Sequence, residues 1–286
     1  MGRLEHYIDG QALEVQEKWV MQLLGPNAPF NLLEIGACEG ENSIRYAQFF
    51  PRANIHVFEP LPKNYQAVLQ HIAKYQPANL RAHQLCLSEQ IGFADFFVSS
   101  GRPENATDLE WDYGNKSSSL LPPDRNADYF PWMEFKEKIQ VKTDTLDNFC
   151  RANGLGEIGF MHIDVQGAEL MVLKGGQAML QHTQAMWIEV SDVPLYQGQA
   201  LQQDIEDFLR PLGFTKIVDT VAGWSGDQFW VKKDFFVAQK GSLALARLHW
   251  GLWRANLQLQ ARQLLERGAR RWGKLKNLVK RRLTGS

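Results

Sequence analysis

The sequence predicts an α/β fold built on a doubly wound, mostly parallel sheet, and three observations predict it. Short apolar or β-rich runs alternate with segments of helical spacing from residue 31 to residue 231. One run, Ile158 to Val165, is apolar enough to suit a strand buried on both faces. A glycine turn joins the first run to the helix that follows it, as a βαβ unit requires.

Leu4 to Leu24 sets Leu13, Trp19, Val20, Leu23 and Leu24 among charged residues and predicts one or two helices, ended by Gly25 and Pro26. Asn31 to Ile35 is the first strand, Gly36 and Gly40 open the tight turn, and Asn42 to Phe50 has helical spacing. Ile55 to Phe58 is the second strand, and Pro62 suits the first turn of a helix over Lys63 to Tyr75. Leu80 to Leu87 reads as a third strand and Gly92 to Val98 as a further one with alternating character. Ile139 to Lys142 is β-like again, and Thr145 to Ala152 is a short helix. After Ile158 to Val165 come a helix over Ala168 to Gln181, a strand over Met186 to Val190 and an amphipathic helix over Gln202 to Leu212. Phe214 to Val218 and Gln228 to Val231 complete the sheet.

Ser99 to Lys138 breaks this rhythm with Pro103, Pro122, Pro123, Pro131, Gly101, Gly114 and the polar run Asn115 to Ser119. A segment this long without regular structure is functional or disordered. Trp111, Tyr113, Tyr129, Phe130 and Trp132 argue against disorder, so it reads as a lid or substrate loop. The division expected is an N-terminal helical segment over residues 1–29, an enzyme domain over 30–240 with this insertion at about 99–138, and a tail over 241–286.

A hydrophobic content of 44% and a charged content of 22% are those of a globular protein. No stretch reaches the roughly 18 apolar residues of a membrane span, and Met1 to Gly10 lacks a signal-peptide core, so a cytoplasmic protein is expected. Cys38, Cys86 and Cys150 imply neither a disulfide framework nor a zinc site. The net charge of −1 hides an asymmetry, because residues 241–286 carry 11 Lys and Arg against Glu266 alone. There Leu257, Ala261, Leu264, Gly268, Trp272, Leu275 and Val279 form an apolar face opposite Arg262, Arg267, Arg270, Lys274, Lys280 and Arg281. Such a helix suits an anionic membrane surface at the inner face of the membrane, a partner groove, the enzyme domain itself or its own copy. Nucleic acid is not expected, since no base-reading motif accompanies the charge.

Function is written in Asn31 to Pro60. Glu59 ends the second strand 23 positions after Gly36, the distance at which a carboxylate accepts hydrogen bonds from ribose hydroxyls in a nucleoside-binding βαβ unit. Cys38 stands where a dinucleotide loop needs its middle glycine, so pyrophosphate is disfavoured. Glu34, Glu39 and Glu41 make the turn acidic, which repels phosphate and tolerates a cation. S-adenosylmethionine, with a ribose, a sulfonium and no phosphate, fits these demands. An NAD-dependent oxidoreductase and a non-catalytic nucleoside-binding scaffold docking a partner through the tail are the alternatives.

Ligands of such sheets lie at the carboxyl ends of the strands, which gathers Glu34 to Gly40, Glu59, Leu85 to Ser88 and Asp164 at one edge. Asp164 there can take a proton from a substrate hydroxyl, ligate a divalent cation with Glu169 or Glu189, or cap the next helix. Glu169 also complements a helix dipole. His162 shares a strand face with Asp164, allowing an acid-base pair, although a buried hydrogen-bonded histidine is the simpler reading.

With LLEIGACEGENS, VFEPLPKNY, LCLSEQIG, KTDTLDNF and FMHIDVQGAELMVLKGG in place, the chain resembles the FkbM family of S-adenosylmethionine-dependent methyltransferases over roughly residues 30 to 233. The resemblance implies a class I, Rossmann-like methyltransferase fold, seven-stranded with an antiparallel final strand, and O-methylation of a hydroxyl on a sugar, glycan or secondary metabolite. It implies that Glu34, Gly36 and Gly40 hold the methionine side of the cofactor, that Glu59 binds the ribose, that Leu87 and Ser88 border the adenine, and that Asn42 and Asp164 are further cofactor-binding candidates. Asp164 and Glu169 correspond to the acidic pair of the D-x-x-G-x-E signature, present as D-V-Q-G-A-E. His162 stands for a common lysine and Gln166 for a frequent glutamate.

Overall fold

The computed structural model describes residues 3–106, 112–248 and 251. Trp111 and the tail positions from 252 onward, which include the predicted basic amphipathic helix, lie outside the described residues. By contacts the chain divides into two units, Met1–Gln239 and Lys240–Ser286.

Two helices, α1 (Arg3–Ile8) and α2 (Val15–Leu23), precede β1 (Asn31–Ile35). The first crossovers are α3 (Glu41–Phe49), β2 (Asn54–Phe58), α4 (Pro62–Tyr75) and β3 (Leu80–His83), followed by β4 (Cys86–Leu87) and β5 (Gly92–Gly101). A 3₁₀ turn at Tyr113–Ser117 and the short α5 (Asn126–Tyr129) lead to β6 (Met133–Asp144). The second half runs α6 (Leu146–Ala152), β7 (Ile158–Ile163), α7 (Glu169–Lys174), α8 (Gln177–Gln181), β8 (Thr183–Ser191), α9 (Gln202–Leu209), β9 (Phe214–Asp219), β10 (Ser225–Lys232) and α10 (Lys233–Lys240).

The main sheet has the order β3-β2-β1-β7-β8-β10-β9. Strands β3, β2, β1, β7 and β8 pair in parallel, and β10 is antiparallel to both β8 and β9. This is the seven-stranded sheet with an antiparallel last strand that the resemblance implies. Strand order reverses between β1 and β7, so a crevice opens at their carboxyl ends. Every residue of β7 is buried, as its unbroken apolar run requires of a strand covered on both faces.

Three stretches depart from sequence expectation. Leu80 to Leu87 is two strands: after a turn in which Leu85 N–H donates to the His83 carbonyl (2.9 Å), β4 leaves the main sheet and pairs with β6. The order β4-β6-β5 makes a small second sheet over Leu61, Cys86, Phe96 and Val141. Strands β5 and β6 also run further than their patterns suggest, so the irregular excursion is confined to residues 102–132. Finally, Ala168 to Gln181 breaks into α7 and α8 at Gly175 and Gly176. A Cβ on Gly175 would lie 2.0 Å from the Ser88 carbonyl oxygen, and one on Gly176 2.5 Å from Leu146 Cδ2. Close approach of the β4 turn and α6 therefore requires glycine at the break. Asp147 then caps α8 from outside, accepting from Ala178 N–H (3.0 Å) and Met179 N–H (2.8 Å).

The N-terminal helices brace α3 from behind the crevice. Arg45 of α3 is buried and makes a bidentate pair with Glu17 (2.8 and 2.7 Å). Its other donors reach the carbonyl oxygens of Tyr7, Gly10 and Ala12 (2.8, 2.9 and 2.8 Å). Burying a guanidinium is tolerated because all its N–H groups are satisfied. Among the described residues, no helix is long and apolar enough to cross a membrane.

Candidate active site

At the carboxyl ends of β1, β2 and β7 lies an open cleft, about 510 Å³ when the solvent space at its mouth is included. Gly36, Cys38 and Glu59 line it as a first wall, Asp164 to Gln166 as a second, and Leu85 to Leu87 complete the lining from the β4 turn. Asn115, Lys116, Ser118 and Leu120 come over it from the excursion.

The first wall is set by the turn after β1. Gly36 has φ +90°, and a Cβ there would sit 1.8 Å from the Asp164 carbonyl oxygen, so glycine lets the two turns touch through their backbones. Cys38 has φ +50°, a conformation unusual for a residue with a side chain, and Glu59 holds it there. Glu59 Oε2 accepts from Cys38 N–H (2.8 Å) and Oε1 from Leu61 N–H (2.8 Å). Burial pushes the Glu59 carboxyl up to about 8, while the two amide donors pull it down. The Cys38 thiol is raised well above its usual range, by burial first and the Glu41 charge second. It is therefore no thiolate nucleophile.

The second wall is the D-V-Q-G turn. Glu169 Oε1 accepts from Val165 N–H and Gly167 N–H (3.1 Å each), fixing the turn from the first residue of α7. Burial raises this carboxyl to about 7. Gln166, at φ +55°, is the junction of the wall. Its Nε2 donates to Asp164 Oδ1 and to Glu189 Oε2, both at 2.7 Å. The Tyr196 hydroxyl donates to the Ser117 carbonyl (2.8 Å) and lies 3.2 Å from Gln166 Oε1. Ser119 Oγ donates to the Gln166 carbonyl (2.7 Å). Glu189 is raised well above the carboxylate range by burial first, then by the charges of Asp164 and Glu169.

Of the residues given a cofactor-binding, catalytic or metal-ligating role in the sequence, Gly36, Glu59, Leu87 and Asp164 line the cleft. The others of that set stand outside its lining. Glu34 is buried beneath the turn and accepts from Ser43 Oγ, its carboxyl raised to about 8 by burial. Gly40 is the left-handed residue preceding α3. Asn42 accepts from the Tyr7 hydroxyl (2.7 Å) and so faces α1. Ser88 is buried and donates its N–H to the Asp144 carbonyl (2.9 Å). His162 Nδ1 is 2.9 Å from the Tyr46 hydroxyl, and burial lowers its basicity, as expected of a structural histidine.

Asp164 and Glu189 do not fit a cation as arranged, because the Gln166 amide nitrogen already donates to both. Among the described residues no group of three or more His, Cys, Asp or Glu side chains is placed to hold a metal. A sulfonium nucleoside fits better. Glu59 and Asp164 place carboxyl groups in the wall, Gly36 keeps the turn free of a side chain, and Asn64, which also lines the cleft, has a buried Oδ1 with no partner.

Residues 34–216 match the methyltransferase FkbM domain. The chain belongs to the FkbM methyltransferase family. The 2-O-methyltransferase NoeI of Sinorhizobium fredii is 30% identical over 230 residues, 79% of this chain and 90% of that protein. Methyltransferase sdnD of Sordaria araneosa is 26% identical over 227 residues, 71% of this chain and 80% of that protein. The structure of M. capricolum TrmK with S-adenosylhomocysteine shares 9% identity at a TM-score of 0.41, over 77% of this chain and 69% of that one. This FkbM protein is an S-adenosylmethionine-dependent methyltransferase, which decides the choice left open against the oxidoreductase and the non-catalytic scaffold.

Sequence reasoning missed Asn64 and Tyr196 as partners of the site, and offered Asn115 and Lys116 only within the polar run of the expected substrate loop. Asn64 lay in the quoted VFEPLPKNY and Asn115 and Lys116 in the polar run, but no local pattern says which side chains a fold turns toward a cleft. Tyr196 carried no signal in its surroundings.

Proposed function

We propose that this FkbM methyltransferase transfers a methyl group to a hydroxyl of a sugar, glycan or secondary metabolite. The observation that carries the reading is the backbone contact between Gly36 and Asp164, which brings a carboxylate to the wall beside the cofactor turn. The name of the relative NoeI, a 2-O-methyltransferase, supports oxygen as the acceptor atom.

In this reading the Gly36 to Gly40 turn holds the methionine side of the cofactor, Glu59 the ribose, and Leu87 borders the adenine. Lys116, paired with Glu41, brings positive charge to a wall otherwise acidic. When bound, S-adenosylmethionine would supply a methyl on a cationic sulfur, and in-line attack of the acceptor oxygen on that carbon would break the C–S bond and release S-adenosylhomocysteine. Charge is partly neutralised in that step, so positioning matters most. A hydroxyl is nonetheless a weak nucleophile, and a base that removes its proton contributes further. Asp164 is that base. Glu189, held protonated to higher pH by burial and by the carboxylates beside it, does not compete for the proton. Gln166 fixes the Asp164 carboxylate by its 2.7 Å bond, and Glu169 fixes the turn that carries both. These two are positioning residues. Where a glutamate at position 166 would add a third acid, the amide donates to both neighbours. That is why this reading routes no step through a divalent cation.

Calorimetry tests the cofactor half: S-adenosylhomocysteine binds, and Glu59→Ala weakens it by roughly tenfold to a hundredfold, the worth of the ribose hydrogen bonds lost with the carboxyl group. Absence of binding by folded protein rejects it. Mass-resolved screening of hydroxylated acceptors for the gain of one methyl group tests the other half. For the tail, we propose that residues 241–286 favour an anionic membrane. Vesicles with anionic lipid then retain the full chain more than a version ending at Lys240, and salt abolishes the difference.

A further inference from the structure

We propose that Asn64 is a second acceptor for the cofactor's ribose hydroxyls, and that Cys38 aims it. The proposal rests on the cofactor reading above and adds a residue to it. Asn64 sits in the first turn of α4, two positions after Pro62, and forms part of the cleft wall beside Glu59. It is 3% exposed. Its Nδ2 donates to Cys38 Sγ at 3.6 Å, and this bond turns Oδ1 away from the sulfur. Asn115 Nδ2 reaches the same sulfur from the excursion at 3.7 Å, so the thiol is gripped by amides from two directions.

Asn64 Oδ1 has no hydrogen-bond partner and no contact with solvent. A buried amide oxygen left unpaired is unfavourable, and proteins rarely retain one without use for it. The Cys38 and Leu61 N–H groups of this wall do not serve it, because both go to Glu59. What the wall lacks is a donor from the ligand. A ribose offers two O–H groups, and each Glu59 oxygen has already given one lone pair to a backbone amide. Sharing the diol between Glu59 and Asn64 gives each hydroxyl its own acceptor and satisfies the orphan. Cys38 then has a purpose at a left-handed position where glycine would be easier: its sulfur orients the amide that glycine could not hold.

The test uses the full chain and S-adenosylhomocysteine, with Asn64→Leu as a close match in volume. In the absence of ligand the variant melts at the same temperature as the wild type or higher, because an unpaired buried polar atom has been removed. In calorimetry it binds S-adenosylhomocysteine at least tenfold more weakly, and its ligand-induced rise in melting temperature shrinks in step. Of the 2′-deoxy and 3′-deoxy forms of the ligand, one binds the wild type more weakly than the parent compound but binds Asn64→Leu as well as the parent does. Folded Asn64→Leu that binds within twofold of the wild type overturns the proposal. So does a variant in which both deoxy forms lose the same factor as they do in the wild type. If the leucine variant does not fold, Asn64→Ser, which withdraws the acceptor, is judged by the same criteria. A wild-type protein that takes up no S-adenosylhomocysteine overturns the cofactor assignment itself, whereas binding unaffected by Asn64 overturns only this addition.

Discussion

The turn after β1 and the turn after β7 are built alike and used differently. Each follows a parallel strand, each contains one left-handed residue other than glycine (Cys38, φ +50°; Gln166, φ +55°), and each is pinned by one buried glutamate accepting two backbone N–H groups. They differ in where the pin comes from. Glu59 belongs to the end of the next strand and stays in the cleft wall, so its carboxylate both holds the turn and faces the ligand. Glu169 belongs to the helix of its own turn and lies outside the lining, which leaves Asp164 free for the acceptor. A pin that crosses to a neighbouring strand can serve as a ligand contact, and one that folds back on its own turn acts as a brace.

The largest effect that sharpens this contrast is Asp164→Asn. Methyl transfer, followed by mass, falls by about 10² to 10⁴, the span of a lost general base, while S-adenosylhomocysteine affinity stays within a few fold. Loss of cofactor affinity in parallel would put Asp164 on the cofactor side. Next is Gly36→Ala. Its Cβ would meet a backbone oxygen at 1.8 Å in a left-handed conformation, and urea unfolding should show a loss on the order of 3 kcal/mol or more. Gly167→Ala has φ +96°, yet its nearest neighbours are side-chain atoms of Tyr196 and Gln199 at 3.0 and 3.2 Å. Those atoms can yield, so about 1 to 2 kcal/mol is expected from the left-handed conformation alone. Equal costs for the two glycines would break the view that only the first is locked against its neighbour turn.

The last effect is in pH. Both pins have folded-state pKa values above those of an exposed glutamate, Glu59 at about 8 and Glu169 at about 7. The folded chain therefore holds these protons more tightly than the unfolded one. Their stabilising contribution is complete below about pH 4.5 and declines as pH rises through 7 and then 8. Urea midpoints of the ligand-free protein should fall over that interval. Glu169→Gln should flatten the fall up to about 7, and Glu59→Gln up to about 8. Midpoints that rise with pH and ignore both substitutions would show the pins to be ionised throughout.

The first crossover was legible almost to the residue, since β1 spans the predicted Asn31 to Ile35 and α3 begins one residue early. Apolar runs, glycine punctuation and an acid at strand end are local signals. The break between α7 and α8 was not legible, because Gly175 and Gly176 are there for Ser88 and Leu146, remote in sequence. Nor was the split of Leu80 to Leu87, which depends on β6 arriving as a partner. In the site, proximity was readable and direction was not. Asn42, in the first turn of α3, and Asp164, directly after β7, both follow a carboxyl strand end in sequence, but Asn42 accepts from Tyr7 of α1 while Asp164 lines the cleft.

The sequence by itself determined the order of strands and helices, the glycine turn and the carboxylates at the strand ends, because these follow from periodicity and backbone freedom within a few residues. Only the tertiary structure decided which carboxylates hold backbone amides and which face the cleft, that Gln166 joins Asp164 to Glu189, and that Asn115 and Lys116 cover the site. Those outcomes depend on which buried donors and acceptors meet across elements far apart in the chain, and each polar group takes the partner that packing leaves within reach.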